Sequence, residues 1–291
     1  MNKPDDIINF LLNRFPDEES AVNYLEGRRW AEGVRCPYCD GDKVNRVSGS
    51  QPHKCRPCNR KFSVKTGTFM HSGKKSVRHW LVMMLFMATS KHGISSVEMG
   101  KKLGITQSNT WSMQHRIRQA FSQQFGNLMG IVEVDETYVG GKEKNKHAKD
   151  RRKAGRGAVG KAIVVGAKER NGMVSAKVIP NTKQATIQGF IEDKVVKGSS
   201  VITDEHKSYI GLDKLGYQHH TVNHSKGQYV DGIAHTNSIE SFWATVKRTI
   251  FGTHTHVSPG YLQNYIDEMV FRHNSKNFIA DICDNVERAR A

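Results

Sequence analysis

The sequence predicts a mixed α/β domain that follows a small cysteine-rich segment and a group of helices. Two Cys-x2-Cys pairs lie near the N-terminus, helical periodicity covers roughly residues 76–124, and short β-branched runs alternate with helical segments after Gly130. The expected order is a helical lead-in over 1–34, a cysteine-rich zinc segment over 35–72, a helix-turn-helix-like segment over 73–126, an α/β domain over 127–280 and a tail over 281–291.

The charge of the chain indicates what kind of partner it has. The 291 residues include 44 Lys and Arg against 28 Asp and Glu, which gives a formal net charge of +16. Such an excess predicts a polyanionic partner, nucleic acid first. No membrane partner is expected, because the longest apolar run, "WLVMMLFMA", is much shorter than the roughly 20 residues of a spanning helix. The N-terminus lacks the features of a secretory signal, so we expect a cytoplasmic, nucleoid-associated protein.

The two cysteine pairs predict a structural zinc site. "CPYC" and "CRPC" are separated by 15 residues, a spacing typical of zinc segments that supply four thiolates to one tetrahedral Zn²⁺. Disulfides are disfavoured in a reducing compartment, and the βαβ context of a thioredoxin-like redox motif is missing. Four ligands close the site, so the metal is expected to support folding rather than catalysis. The predicted ligands are Cys36, Cys39, Cys55 and Cys58. The fifth cysteine, Cys283, is expected to be an ordinary buried residue.

The helical segment resembles a helix-turn-helix. Three helical patterns are separated by "KHGI" and "LGIT", with Gly104 in the tight turn and 107–121 as the candidate recognition helix. Amide side chains can read base edges, which makes Gln107, Asn109 and Gln114 candidate DNA contacts. A plain helical connector is the alternative interpretation.

A basic stretch separates the first two predicted strands. "KEKNKHAKDRRKAGRGAVG" has no apolar face, so it is expected to be mobile when alone and to bind DNA phosphates. The residues expected to make these contacts are Arg151, Arg152 and Lys153.

Three dispersed carboxylates form the candidate catalytic set. Asp135 lies within the first strand, on the same face as Glu133, and Asp204 follows the apolar run of the fourth strand. Glu240 lies on the last helix, three residues after Asn237, where the pair also fits a capping box of purely structural meaning. Gathered at the end of a mixed sheet, such carboxylates would hold two Mg²⁺ ions for an in-line phosphoryl transfer.

The motifs "VEVDETYVGGK", "VITDEHKSY" and "HTNSIESFWATVKRTIFGTHTHVSPGYLQNYIDEMVFRHN" together resemble the insertion-sequence transposases of the IS1595 group, and the cysteine pairs resemble the zinc ribbon that precedes their ISXO2-like domain. The resemblance implies a ribonuclease-H-like core, a DDE-type acid set and Mg²⁺ or Mn²⁺. By position, the acids fall on Asp135, Asp204 and Glu240, and the basic residue falls on Lys247. Members of the group carry Asn as the third ligand, which falls on Asn237.

The resemblance favours a transposase that binds the terminal inverted repeats of its element, cleaves DNA strands and joins them to target DNA, as a homo-oligomer assembled on DNA. A DNA-binding regulator or a catalytically inactive transposase derivative, with structural acids, is the alternative from another class. A nuclease without strand joining is a third possibility that the sequence leaves open.

Overall fold

The computed structural model describes residues 9, 11, 13–121, 126–141, 147, 149, 151, 159–222 and 235–275. The chain divides into two compact units, one made of residues 1–122 with 276–291 and one made of residues 123–275. None of the described helices has both the length and the apolar character that crossing a bilayer requires.

The first unit begins with a helix that is joined to a small sheet. Helix α1 (Glu18–Arg29) starts at a capping box between Asp17 and Ser20, and an antiparallel sheet of order β1-β2-β3 follows it. The buried Glu26 carboxylate joins the two, because it contacts Nε2 of the buried His53 at 2.7 Å and Arg46 at 2.9 Å. The strands are Val44–Arg46, His53–Cys55 and Lys61–Phe62.

Three helices complete the described part of this unit: α2 (Val77–Thr89), α3 (Ser96–Leu103) and α4 (Gln107–Gln119). The run "WLVMMLFMA" lies in α2, most of whose apolar side chains are fully buried. Gly104 ends α3 in the left-handed conformation, with φ of 64°, and Thr106 caps α4 by accepting from the Asn109 N–H. The predicted tight turn therefore forms at Gly104.

The second unit is built on a five-stranded mixed sheet. Its strand order is β6-β5-β4-β7-β8, in which β4, β5 and β6 pair antiparallel while β7 pairs parallel with both β4 and β8. The strands are β4 (Ile131–Val139), β5 (Ala162–Glu169), β6 (Val174–Ile179), β7 (Ser200–Thr203) and β8 (Gln218–Thr221).

Helices cover the two faces of this sheet. Because successive side chains of a strand point to opposite faces, β4 and β5 contribute to two separate cores. Helix α5 (Gln184–Lys194) packs on one face. Helix α6 (Asn237–Arg248), which continues as a π-helix over Thr249–His254, packs on the other face with α7 (Leu262–Asn274). The apolar stripe of α6 is buried, at Ile239, Trp243, Val246 and Ile250.

Helix α7 also pairs with the edge strand β6 through side-chain amides. Gln263 Oε1 accepts from the Val178 N–H at 2.7 Å, and its Nε2 donates to the Ala176 carbonyl at 3.4 Å. Asn274 accepts from the N–H of Val174 and donates to its carbonyl, both at 2.8 Å. These amides take the place that a neighbouring strand would occupy.

The predicted mixed α/β domain is confirmed. The predicted strand before Asp204 ends at Thr203, and a 3-10 turn covers Lys207–Tyr209. The division into five segments stays a prediction. Most of the basic stretch, including Arg152 and Lys153, lies outside the described residues, as do Cys283 and the predicted C-terminal tail.

Candidate active site and metal centre

Strand pairing brings two of the predicted acids together. Strands β4 and β7 are parallel, with Glu133 opposite Ile202, and continuing this register by two residues places Asp204 opposite Asp135. Neighbouring strands lie about 4.8 Å apart, so these two residues are neighbours at the carboxyl end of β7. The sequence pattern anticipated this position for Asp204, because open α/β sheets present functional side chains there.

Glu133 attaches the start of α6 to the sheet. Its side chain is fully buried, and one carboxylate oxygen accepts from the backbone N–H groups of Ser238 at 2.8 Å and Ile239 at 3.1 Å. The other oxygen lies 3.2 Å from Arg170 Nη2 and 3.3 Å from His235 Nδ1. A buried carboxylate on the first N–H groups of a helix satisfies donors that have no partner inside the helix. Glu133 therefore fixes α6 beside β4.

Two further contacts hold the same helix against the sheet. Lys168 Nζ, on β5, donates to the Ser238 carbonyl at 3.3 Å. Trp243 packs over Gly166, which is paired with Asp135, and a Cβ at Gly166 would lie only 2.5 Å from the Trp243 ring. Only glycine at this position lets the indole lie against the sheet beside Asp135. Helix α6 is thus held against both β4 and β5.

The anchored helix presents the third candidate ligand. Asn237, Glu240 and Lys247 are all exposed, and Glu240 and Lys247 lie on nearly the same side because they are seven residues apart. The capping box expected between Asn237 and Glu240 does not form. The helix begins at Asn237, its N-cap is Thr236, and Glu240 Oε1 accepts from the Thr236 hydroxyl at 3.0 Å. Glu133 supplies the capping acceptor instead, which a local sequence pattern cannot reveal.

The carboxyl groups of the site influence one another electrostatically. Burial, together with the negative charges of Asp204 and Glu240, raises the pKa of Asp135 to about 6. The Trp243 indole N–H favours the ionised Asp135 and opposes this shift. Neighbouring carboxylates in a half-buried site repel one another, and this repulsion is unfavourable unless a cation balances it. The arrangement therefore suits a divalent metal ion.

Glu136 is a carboxyl group that the sequence reasoning missed. It lies on the opposite face of β4 from Asp135, beside the fully buried Tyr209. Burial, opposed by the neighbouring Tyr209 hydroxyl and reinforced by the charges of Asp204 and Asp135, raises the pKa of Glu136 to about 7. The signal in the sequence was a second acid in "VEVDETYV", directly after Asp135.

The acids of the site do not form a compact cluster of three ligands in the described part of the chain. Within the described residues, only the four cysteines form a group of three or more Cys, His, Asp or Glu side chains whose ligand atoms all lie within 4.8 Å of one another. Oxygen ligands suit Mg²⁺, and a site for two ions about 4 Å apart spreads its ligands more widely than a site for one. The donor set of Asp135, Asp204 and Glu240 fits such a site.

The cysteine quartet has the geometry of a zinc site. Cys36 and Cys58 Sγ atoms are 3.6 Å apart, and those of Cys39 and Cys55 are 3.5 Å apart. Four sulfurs about 2.3 Å from a tetrahedral Zn²⁺ would be about 3.8 Å apart, close to these separations. All four cysteines are free thiols with their sulfur atoms close together, so the quartet can hold one Zn²⁺, in agreement with the predicted structural zinc site.

The thiols of the quartet do not ionise alike. The Arg60 backbone N–H lowers the pKa of Cys58 to about 7. The Cys58 backbone N–H favours the Cys55 thiolate, but desolvation and the neighbouring thiols outweigh it and raise the pKa of Cys55 to about 12. Zinc binding would therefore displace protons from the quartet, which couples metal affinity to pH.

The candidate recognition helix exposes only part of the predicted DNA-contact set. Gln107 and Asn109 are exposed in the first turn of α4, although Gln107 Nε2 also donates to the Ser96 hydroxyl at 2.9 Å. Gln114 is only 1% exposed, and its Nε2 donates to the Ile94 carbonyl at 3.1 Å. In this structure the Gln114 amide joins α4 to the segment before α3 and is not exposed as a base contact. Arg151 is exposed.

Comparison with known proteins agrees with this architecture. The ISXO2-like transposase domain family matches residues 127–274, and the transposase zinc-ribbon domain matches residues 16–61. A protein in transposable element ISH50 of Halobacterium salinarum is 28% identical over 270 residues, which cover 88% of this chain and 90% of that protein. A transposase-like protein of Haemophilus influenzae is 30% identical over 105 residues, which cover 36% of this chain and 84% of that protein.

Proposed function

Because the chain belongs to the family of ISXO2-like transposases, we propose that it cleaves DNA at the terminal inverted repeats of an insertion sequence and joins the released ends to target DNA. The sheet supports a ribonuclease-H-like core, since three antiparallel strands are followed by two parallel ones in the order β6-β5-β4-β7-β8. The single observation that carries the proposal is the adjacency of Asp135 and Asp204 across β4 and β7.

Each side chain of the acidic set has a distinct task in this proposal. Asp135 and Asp204 hold divalent ions from the sheet, and Glu240, or Asn237 in its place, completes the set from α6. Bound there, Mg²⁺ or Mn²⁺ would activate a water or a 3′-hydroxyl and stabilise the leaving oxygen. Lys247, on the same side of the helix as Glu240, contacts a phosphate of the bound DNA. Glu133 acts indirectly, because it sets where α6 meets the sheet.

The first unit supplies DNA recognition. The zinc ribbon and the helix pair α3 and α4 bind the element ends, with Gln107 and Asn109 exposed at the start of α4 to contact base edges. Arg151, together with Arg152 and Lys153, contacts phosphates. The protein works as a homo-oligomer on DNA and is associated with the nucleoid.

Labelled duplex DNA that carries the element ends tests this proposal. With Mg²⁺ or Mn²⁺, the protein should give nicked and then joined products, and EDTA should stop both. Asp135→Asn and Asp204→Asn should bind the ends normally and lose cleavage by orders of magnitude, since the transition-state oxygens lose a metal ligand. Asp193→Asn, an exposed acid at the end of α5, is the matched control and should cleave normally. Normal cleavage by both site variants would refute the acidic site.

The cleavage activities of two further variants would identify the third metal ligand. Glu240→Gln retains a hydrogen-bond acceptor for the Thr236 hydroxyl but removes the charge, whereas Asn237→Ser alters the neighbouring helix position. Loss of cleavage in Glu240→Gln alone would assign the ligand to Glu240, and loss in Asn237→Ser alone would assign it to Asn237. End binding without cleavage under any metal condition would instead favour a DNA-binding regulator.

A further inference from the structure

The zinc ribbon has a basic face that takes no part in its core or in zinc binding. We propose that the outer face of its sheet, defined by Lys54, Lys61 and Arg56, binds the phosphate backbone of duplex DNA without regard to sequence. This inference rests on the proposed function, which requires DNA binding, and adds the surface that supplies it.

The register places two lysines directly opposite each other. Lys54 on β2 is paired with Lys61 on β3, and Asn45 on β1 is paired with Lys54, so the three side chains form one row across the sheet. Like charges directly opposite across two strands destabilise a sheet. The row is unfavourable in the isolated ribbon and becomes favourable when a polyanion lies on it.

The other face of the same sheet is occupied by the ribbon core. His53, Cys55 and Phe62 are buried there, with the His53 ring stacked on Phe62 at a centroid distance of 5.3 Å. The inner face therefore holds the zinc ligands and the contact with α1. Because strand residues alternate between faces, Lys54 and Lys61 must lie on the outer side.

A third cation is held at the end of the row. Arg56 lies in the turn directly after β2, and its Nε donates to Asn45 Oδ1 at 3.0 Å, which places it beside the row. This hydrogen bond fixes the guanidinium beside the lysines and leaves its Nη groups able to donate to phosphate oxygens.

No acid neutralises this face within the described part of the chain. The ion pairs of the ribbon there are Arg46 and His53 with Glu26, and Arg35 with Asp40. None of them involves Lys54, Lys61 or Arg56. Three cations gathered without a counter-ion match a phosphate backbone, which carries regularly spaced negative charge.

The salt dependence of DNA binding tests the proposal. The full-length zinc-loaded protein is titrated onto duplex DNA of unrelated sequence and onto end DNA, over a range of salt concentrations. In the double variant Lys54→Thr and Lys61→Thr, the slope of log K against log salt should fall by about 1.8 on both duplexes, about 0.9 for each lost phosphate contact. Affinity at 0.1 M salt should fall by about tenfold to sixtyfold. Threonine suits strands, and its introduction removes the repulsion, so the ribbon should fold.

The controls separate this face from general loss of charge. Replacing Lys197 and Lys214 by Thr removes two exposed cations near the start of β7, the opposite end of that strand from Asp204, and should leave the slope nearly unchanged. Replacing Lys54 and Lys61 by Arg keeps the charge and should restore binding. If the Thr double variant fails to hold one zinc per chain, Lys61→Thr alone should still lower the slope by about 0.9.

The possible failures can be told apart. Wild-type protein that does not bind duplex DNA would refute the proposed function. Wild-type protein that binds, with zinc-loaded Thr variants of unchanged slope and affinity, would overturn only the assignment of this face. A loss confined to end DNA would also overturn it, because phosphate contacts are made with any sequence.

Discussion

The replacement Glu133→Gln tests whether the attachment of α6 to the sheet positions the candidate active site. Gln keeps an oxygen that can accept from the Ser238 and Ile239 N–H groups, but it removes the negative charge that faces Arg170, whose side chain is 18% exposed. Removing one partner of a buried ion pair costs about 3–5 kcal/mol. Because one oxygen is retained, we expect about 3 kcal/mol. For a unit of this size, that lowers the melting midpoint by about 6–12 °C.

A matched control exists on α7. Glu268 is also fully buried and lies 2.8 Å from Arg272, whose side chain is 13% exposed. Glu268→Gln should therefore cost about the same stability, measured by calorimetry on the full chain. Only Glu133→Gln should disturb the active site, since it alone loosens the start of α6. At a temperature well below both midpoints, its half-saturating Mg²⁺ concentration for cleavage should rise by about 10- to 100-fold, the effect typical of residues that orient metal ligands.

The result that would refute this reasoning is equal behaviour of the two variants. If both lose the same stability and keep the wild-type dependence on Mg²⁺, then Glu133 is a structural residue only, and the placement of α6 does not depend on its charge. Restored activity of Glu133→Gln at high Mg²⁺ would support the positioning role, because saturating metal compensates for a weakened ligand set.

Three further predictions concern other parts of the molecule. Cys36→Ser combined with Cys39→Ser should abolish the one bound Zn²⁺ and unfold the ribbon while the α/β unit keeps its own melting transition; metal analysis and calorimetry would show this. The pKa of Glu136 is raised from 4.5 to about 7, so its contribution to stability is present below about pH 4.5 and lost as pH rises through 7. In metal-free buffer, Glu136→Gln should flatten that decline, by up to about 3 kcal/mol in denaturant titrations between pH 5 and 8. Gln114→Ala should lower stability by about 1–3 kcal/mol without changing the preference for end DNA in competition binding. A weaker preference for end DNA would show that the buried amide is released to contact the DNA.

The sequence predicts most of the elements of this protein, because each depends on local chemistry. Short β-branched runs predict the strands of the α/β domain, and the spacing of the cysteines predicts the zinc site. The glycine at position 104 predicts the turn before α4. The adjacency of Asp135 and Asp204 follows from the expected position of strand ends in a mixed sheet.

What sequence reasoning missed depends on contacts between distant segments. Glu133 caps a helix that starts 104 residues later, so no local pattern marks it, and the nearer Asn237 and Glu240 gave a false capping signal. Gln114 has the side-chain chemistry of a base reader, yet the Ile94 carbonyl occupies it, which only packing reveals. Pairing and burial decided these roles, and residue type alone could not.

The amides of α7 limit how copies of this protein can associate. Gln263 and Asn274 already occupy the outward backbone groups of β6, so a strand from another molecule could add there only by displacing the helix. Two side chains therefore block the addition of a strand from another molecule at β6, because they already form hydrogen bonds with its backbone. The proposed homo-oligomer on DNA would have to use other surfaces, and Gln263→Val with Asn274→Val would expose an aggregation-prone edge.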